Sequence, residues 1–166
     1  MENEQISVTP AGNSAPGGWR AVLVAGVIAS MVFQVLEAVL IPLAGGGSPW
    51  GPARMIAAMV MGRGVLPPPA TFDPLVMTVA LVVDVVLAVI YTAILSFLIR
   101  GWPARWSVPA GAFFGAGLYL VNFYGFTSVF PWFEQGRGGV TLVTHIVFSV
   151  TAVLAWRKLA GQKTAT

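Results

Sequence analysis

Residues 74–99 read PLVMTVALVVDVVLAVIYTAILSFLI, 26 residues with one charged side chain, Asp84. At about 1.5 Å of rise per residue, such a helix covers a hydrocarbon core of about 30 Å. Asp73 or Thr71 can cap its N-terminus, and Pro74 suits the first helical position. The stretch reads as a transmembrane helix, and three further segments read the same way. They run from about 19 to 44, 107 to 130 and 138 to 156. Gly45-Gly46-Gly47 ends the first, Pro109 fits the first turn of the third and Pro131 closes it, and Arg157 and Lys158 follow the fourth.

Composition agrees. Of 166 residues, 57% are hydrophobic and 9% charged, with mean hydropathy +0.82. A soluble domain carries about 25% charged residues, so a water-facing surface of this size could not be covered. The fold class is therefore all-α: a polytopic membrane protein, a bundle of four transmembrane helices. Residues 1–18 read as a disordered polar tail, 19–158 as the membrane domain and 159–166 as a second tail. The net charge of +3 has no basic run, which excludes a nucleic-acid footprint. No cysteine is present, which excludes disulfides, thiolate metal sites and iron–sulfur clusters.

The connection between the first two spans is unusual. After Ser48, residues 51–62 turn apolar and helix-forming but are too short to span, which predicts an interfacial or re-entrant helix. Pro67-Pro68-Pro69 predicts a stiff extended strut into the second span. Loop charges orient the chain. Arg20, Arg100, Arg105, Arg157, Lys158 and Lys163 collect on one side, against Arg54, Arg63 and Arg137 on the other. The positive-inside rule puts both termini in the cytoplasm.

Each expected span carries one polar group that lipid tolerates poorly: Glu37, Asp84, Asn122 and His145. Counted from the outer helix ends, Glu37 and His145 lie about 10 Å deep, Asn122 about 12 Å and Asp84 about 15 Å. That is one layer in the outer half of the bilayer. Gln34 and Ser30 share a helix face with Glu37. The layer reads as interhelical glue or as a proton- or cation-binding site. Contact among the four groups without a cavity favours glue, and a cleft lined by them favours the site. The single histidine argues against a metal centre, and no cofactor is expected.

Other polar residues fall near the outer face. Arg54 reads as a snorkelling interfacial charge or a contact for lipid phosphate. Glu134 and Arg137 form a local pair by spacing, with Asp73 as an alternative partner for Arg137. Gly26-x-x-x-Ser30 and Gly111-x-x-x-Gly115 are close-packing motifs, within the bundle or between subunits. No phosphate loop, Gly-x-Ser-x-Gly elbow or His-Glu-x-x-His motif occurs, so no enzyme is expected. These features predict a non-enzymatic membrane protein that works by self-assembly or as an accessory subunit of a larger complex. The rival is a small channel or proton- or cation-coupled transporter using the polar layer.

Two segments, GGGSPWGPARMIAAMVMGRGVLPPPATFD (45–73) and LYLVNFYGFTSVFPWFEQGRG (118–138), resemble a family of small four-span bacterial membrane proteins of unknown function. Some members carry the label sodium:proline symporter. Sodium:solute symporters resemble much longer chains with broken helices, and this chain has neither feature. The resemblance covers most of residues 20–157. It implies the bacterial inner membrane and transfers no functional residue.

Overall fold

A computed structural model describes residues 18–161 apart from Gly46 and Pro67. The described residues contain helices and no strand: α1 (Trp19–Leu43), α2 (Gly51–Met61), α3 (Pro74–Ile99), α4 (Ser107–Leu120) and α5 (Gly139–Gly161). Three of them, α1, α3 and α5, are long and apolar enough to cross a membrane. The two expected tails lie outside the described residues, apart from Gly18 and residues 159–161, and so does Lys163.

Large side chains point outward. Val35, Val82, Val86, Phe97 and Phe113 are exposed, whereas the buried set is rich in Ala, Ser and Thr. A water-soluble bundle would reverse this. Small residues inside let helix backbones approach where lipid offers no hydrophobic drive for association. The helices α1 and α5 pack along each other at the centre, α3 lies against α1 and α4 against α5. The remaining pair, α3 and α4, barely touch. A cleft therefore runs between them, and α2 packs on α3 through Ala57, Val76 and Ala80.

Glycine sets the closest approaches. A Cβ built on Gly26 would lie 2.9 Å from the Cα of Val89 on α3. One on Gly111 would lie 3.0 Å from the Cα of Val150, and one on Gly115 would meet the carbonyl of His145 on α5. These close-packing motifs are used within the chain.

Three expectations need correction. The helix expected over 107–130 is α-helical only to Leu120. It continues as a π-helical turn over Val121–Gly125 and a 3₁₀ turn over Phe126–Ser128. A side chain helps satisfy the widened turn: Arg137 Nε donates to the Phe123 carbonyl at 2.7 Å, in place of a regular backbone ladder. The second correction concerns α5, which runs on to Gly161 rather than stopping near 156. Nothing in Arg157-Lys158-Leu159-Ala160 breaks a helix. Arg157 donates to the carbonyls of Ile99 at 3.2 Å and Trp102 at 2.9 Å, tying this end to the α3–α4 turn. The third is the proline strut. Its Pro67 lies outside the described residues, and Pro68 and Pro69 form a bend with a cis peptide bond between them.

Of the two possible caps, Asp73 serves α3. Its carboxylate accepts from Leu75 N at 2.9 Å and Val76 N at 3.1 Å. Asp73→Ala should cost about 1 kcal/mol, the usual loss for a removed N-cap. Thermal unfolding in mild detergent reads this loss, and Asp73→Ser should recover most of it.

Candidate functional site

The four polar groups of the expected layer resolve into two arrangements. The first is a directed chain of hydrogen bonds. His145 Nδ1 lies 2.8 Å from the Thr141 carbonyl, which can only accept, so Nδ1 carries the hydrogen. In the neutral ring Nε2 is then an acceptor, and the Asn122 amide donates to it at 3.3 Å. The Asn122 carbonyl accepts from the Tyr91 hydroxyl at 3.3 Å. Asn122 comes from the widened turn after α4, Tyr91 from α3 and His145 from α5. The imidazole is held edge-on by Phe33, 5.0 Å away, and Phe123, 5.5 Å away.

The second arrangement consists of two carboxyl–hydroxyl pairs. Ser30 on α1 donates to Asp84 Oδ2 at 2.6 Å. Thr144 on α5 donates to Glu37 Oε1 at 2.5 Å. The Thr144 oxygen also lies 2.9 Å from the Thr141 carbonyl. One hydroxyl hydrogen is thus shared between the carboxyl and the backbone carbonyl.

A cavity of about 200 Å³ joins part of this set. Asp84, Tyr91, Asn122 and His145 supply its polar wall. Phe33, Phe123, Phe126, Phe130, Phe133 and Phe148 supply most of the rest, with Ile56 and Met59 of α2 above. Glu37 and Gln34 are not on this wall. Glu37 is buried with Thr144, and Gln34 is half-buried on α1. The structure thus brings three of the four expected residues to one cavity and places Glu37 one contact away, through the Thr144–His145 neighbours on α5.

Sequence reading missed two partners. Thr144 carries the Glu37 contact, and its adjacency to His145 at the same depth was the available signal. Tyr91 lies seven residues after Asp84 on α3, and its hydroxyl turns to Asn122 across the cleft.

At the α2 end of the bundle, Arg54 departs from expectation. It is buried, not snorkelling. Its guanidinium donates to the Thr71 carbonyl at 2.8 Å, the Val65 carbonyl at 2.7 Å and Thr71 Oγ1 at 3.4 Å. Loop carbonyls between α2 and α3 have no ladder partners, and a planar five-donor group satisfies several at once. Arg137 does pair with Glu134, at 3.3 Å and largely exposed, while Asp73 is spent on its cap. Exposed pairs of this kind contribute little. The more consequential contacts of Arg137 are the Phe123 carbonyl and the face of Tyr124, 4.3 Å away.

Fold and site together define a class: a helical protein with three apolar helices fit to cross a membrane and a polar-ended aromatic cavity among them. Comparison with family models, curated proteins and solved structures finds no match to this chain.

Proposed function

We propose that this chain is a non-enzymatic, four-span protein of the bacterial inner membrane with both termini in the cytoplasm. In this reading residues 107–128 supply the fourth crossing, despite the widened turn, and α2 lies at the outer interface. The two quoted segments and their family resemblance support the same assignment. The protein works as a small proton- or cation-coupled carrier, with the polar layer as its binding site.

One observation carries this reading: the cavity walled by Asp84, Tyr91, Asn122 and His145. Pure glue leaves no room between the groups that it joins. Pockets of this kind, mostly apolar with a few convergent polar groups, are the usual form of a ligand site. Intramembrane ionisable residues facing a cavity mark ion or substrate pathways. The hydrogen-bond chain is also reversible. A proton arriving at His145 Nε2 is met by rotating the Asn122 amide so that its oxygen accepts.

Proton flux in liposomes tests the carrier. Asp84→Asn should slow dissipation of an imposed pH gradient at least about tenfold, equivalent to about 1.4 kcal/mol of barrier. Equal rates for wild type and variant sink the carrier reading. A second reading draws on the carboxyl–hydroxyl pairs Ser30–Asp84 and Thr144–Glu37, which join α1 to α3 and to α5. There the protein acts by self-assembly or as an accessory subunit of a larger complex. Mass measurement in mild detergent separates the readings, because a lone monomer counts against assembly.

A further inference from the structure

We propose that the cleft between α3 and α4 binds an organic ammonium ion about one aromatic ring in size, which reaches it sideways from the bilayer. This deepens the carrier reading by naming the substrate class, and it rests on the same cavity.

The charge of the site points to a cation. Asp84 is 8% exposed and sits on the cavity wall. Its hydrogen bond comes from Ser30 to one oxygen, Oδ2. The ion pair found among the described residues is Arg137–Glu134, so no side-chain cation answers Asp84. A carboxylate in such surroundings calls for a countercharge. Most of the remaining lining is phenyl side chains, a residue type whose ring faces attract cations.

Hydrogen-bond capacity points the same way. His145 Nε2 is occupied by the Asn122 amide, and the Tyr91 hydrogen by the Asn122 carbonyl. What stays open at the polar end is mainly acceptor: Asp84 Oδ1 and the lone pairs of the Tyr91 oxygen. A ligand that donates fits, and an ammonium group donates in several directions. A bare divalent ion needs about six oxygen ligands, and this largely phenyl wall offers too few.

Size and access complete the case. A cavity of about 150 Å³ takes a benzene molecule, so the 200 Å³ here suits one ring with a short polar arm. A phospholipid is far too large. The helices α3 and α4 barely touch, and Phe126, 40% exposed, borders the gap. Leu87 of α3, half-buried and apolar, lines the same cavity. A ring-bearing amine partitions into such surroundings, and a hydrated metal ion does not.

The test uses the full chain in lipid nanodiscs, titrated calorimetrically against empty discs with phenethylammonium, neutral 2-phenylethanol and anionic phenylacetate. Saturable binding of phenethylammonium is expected, at least about tenfold tighter than of the alcohol, with none of phenylacetate. Asp84→Asn should remove that preference, and Glu134→Gln, which removes an exposed carboxylate off the cavity wall, should leave it intact. The alcohol binding as tightly as the ammonium overturns the proposal, as does uptake no greater than in empty discs. The ranking of the three probes on wild type decides even if Asp84→Asn does not fold. Saturable ammonium binding without Asp84-dependent flux overturns the carrier and leaves the ligand class standing. Flux without ammonium binding does the reverse.

Discussion

Gly115→Val is expected to separate α4 from α5 and to cost the fold about 3 kcal/mol or more, the upper end for overpacking a tight interface. A Cβ at this position falls against the His145 carbonyl, 2.7 Å from the Ile146 Cα and 2.9 Å from the His145 carbonyl carbon. All three are backbone atoms, so no rotamer change relieves the clash. Gly111, one turn earlier, is nearly as close to Val150, so α4 cannot pivot away locally. Valine adds two methyl groups to that clash. Unfolding in a detergent titration measures the loss. Gly117→Ala is the control: its Cβ meets nothing within 4 Å, and helix propensity favours alanine by about 1 kcal/mol. The damage should also reach the site. Asn122 and His145 lie on opposite sides of this interface, and their 3.3 Å contact depends on it. A Gly115→Val protein as stable as wild type would mean that α4 and α5 do not pack in this register.

Arg54→Met is the second large effect. Methionine keeps much of the buried volume but removes every donor. The Val65 and Thr71 carbonyls lose charge-assisted bonds worth about 1.5–3 kcal/mol each. The connection from Gly62 to Asp73 should loosen, because those bonds tie it to α2. Limited proteolysis reads this directly, as cleavage between residues 62 and 73 at least about tenfold faster, equivalent to 1.4 kcal/mol of local opening. Arg54→Lys should rescue only partly, since one ammonium lacks the fork that reaches both carbonyls. If Arg54 were a surface charge facing lipid headgroups, methionine would be tolerated and the loop would stay resistant. The variant also probes the cavity, since Ile56 and Met59 of the same helix cover it.

How much was legible follows from where the information lies. Residues 74–99 announce a helix by length and hydropathy, and the Asp73-Pro74 pair announces its start, because these signals are local in the chain. The outer turn of the third segment was not legible. A run such as VNFYG reads as a continued helix until Arg137, 14 residues on, donates to the Phe123 carbonyl. Arg54 was misread for a related reason. Its charge suggested water or headgroups, and the backbone acceptors that bury it belong to Val65 and Thr71, 11 and 17 residues away.

The polar layer shows the division most clearly. Counting rise per residue put Glu37 and His145 at one depth, and the structure joins Glu37 to Thr144, the immediate neighbour of His145. Level along the helix axis follows from the rise per residue and helix face from the 3.6-residue period, so the sequence determined both by itself, together with the helical class and the apolar exterior. Which helix stands beside which is not written in any one period. It follows from where Gly26, Gly111 and Gly115 let backbones close up, and those contacts pull α3 to α1 and α4 to α5. Tertiary structure alone decided that α3 and α4 stay apart. That gap leaves Asp84, Asn122 and His145 facing a cavity while Glu37 is sealed against Thr144.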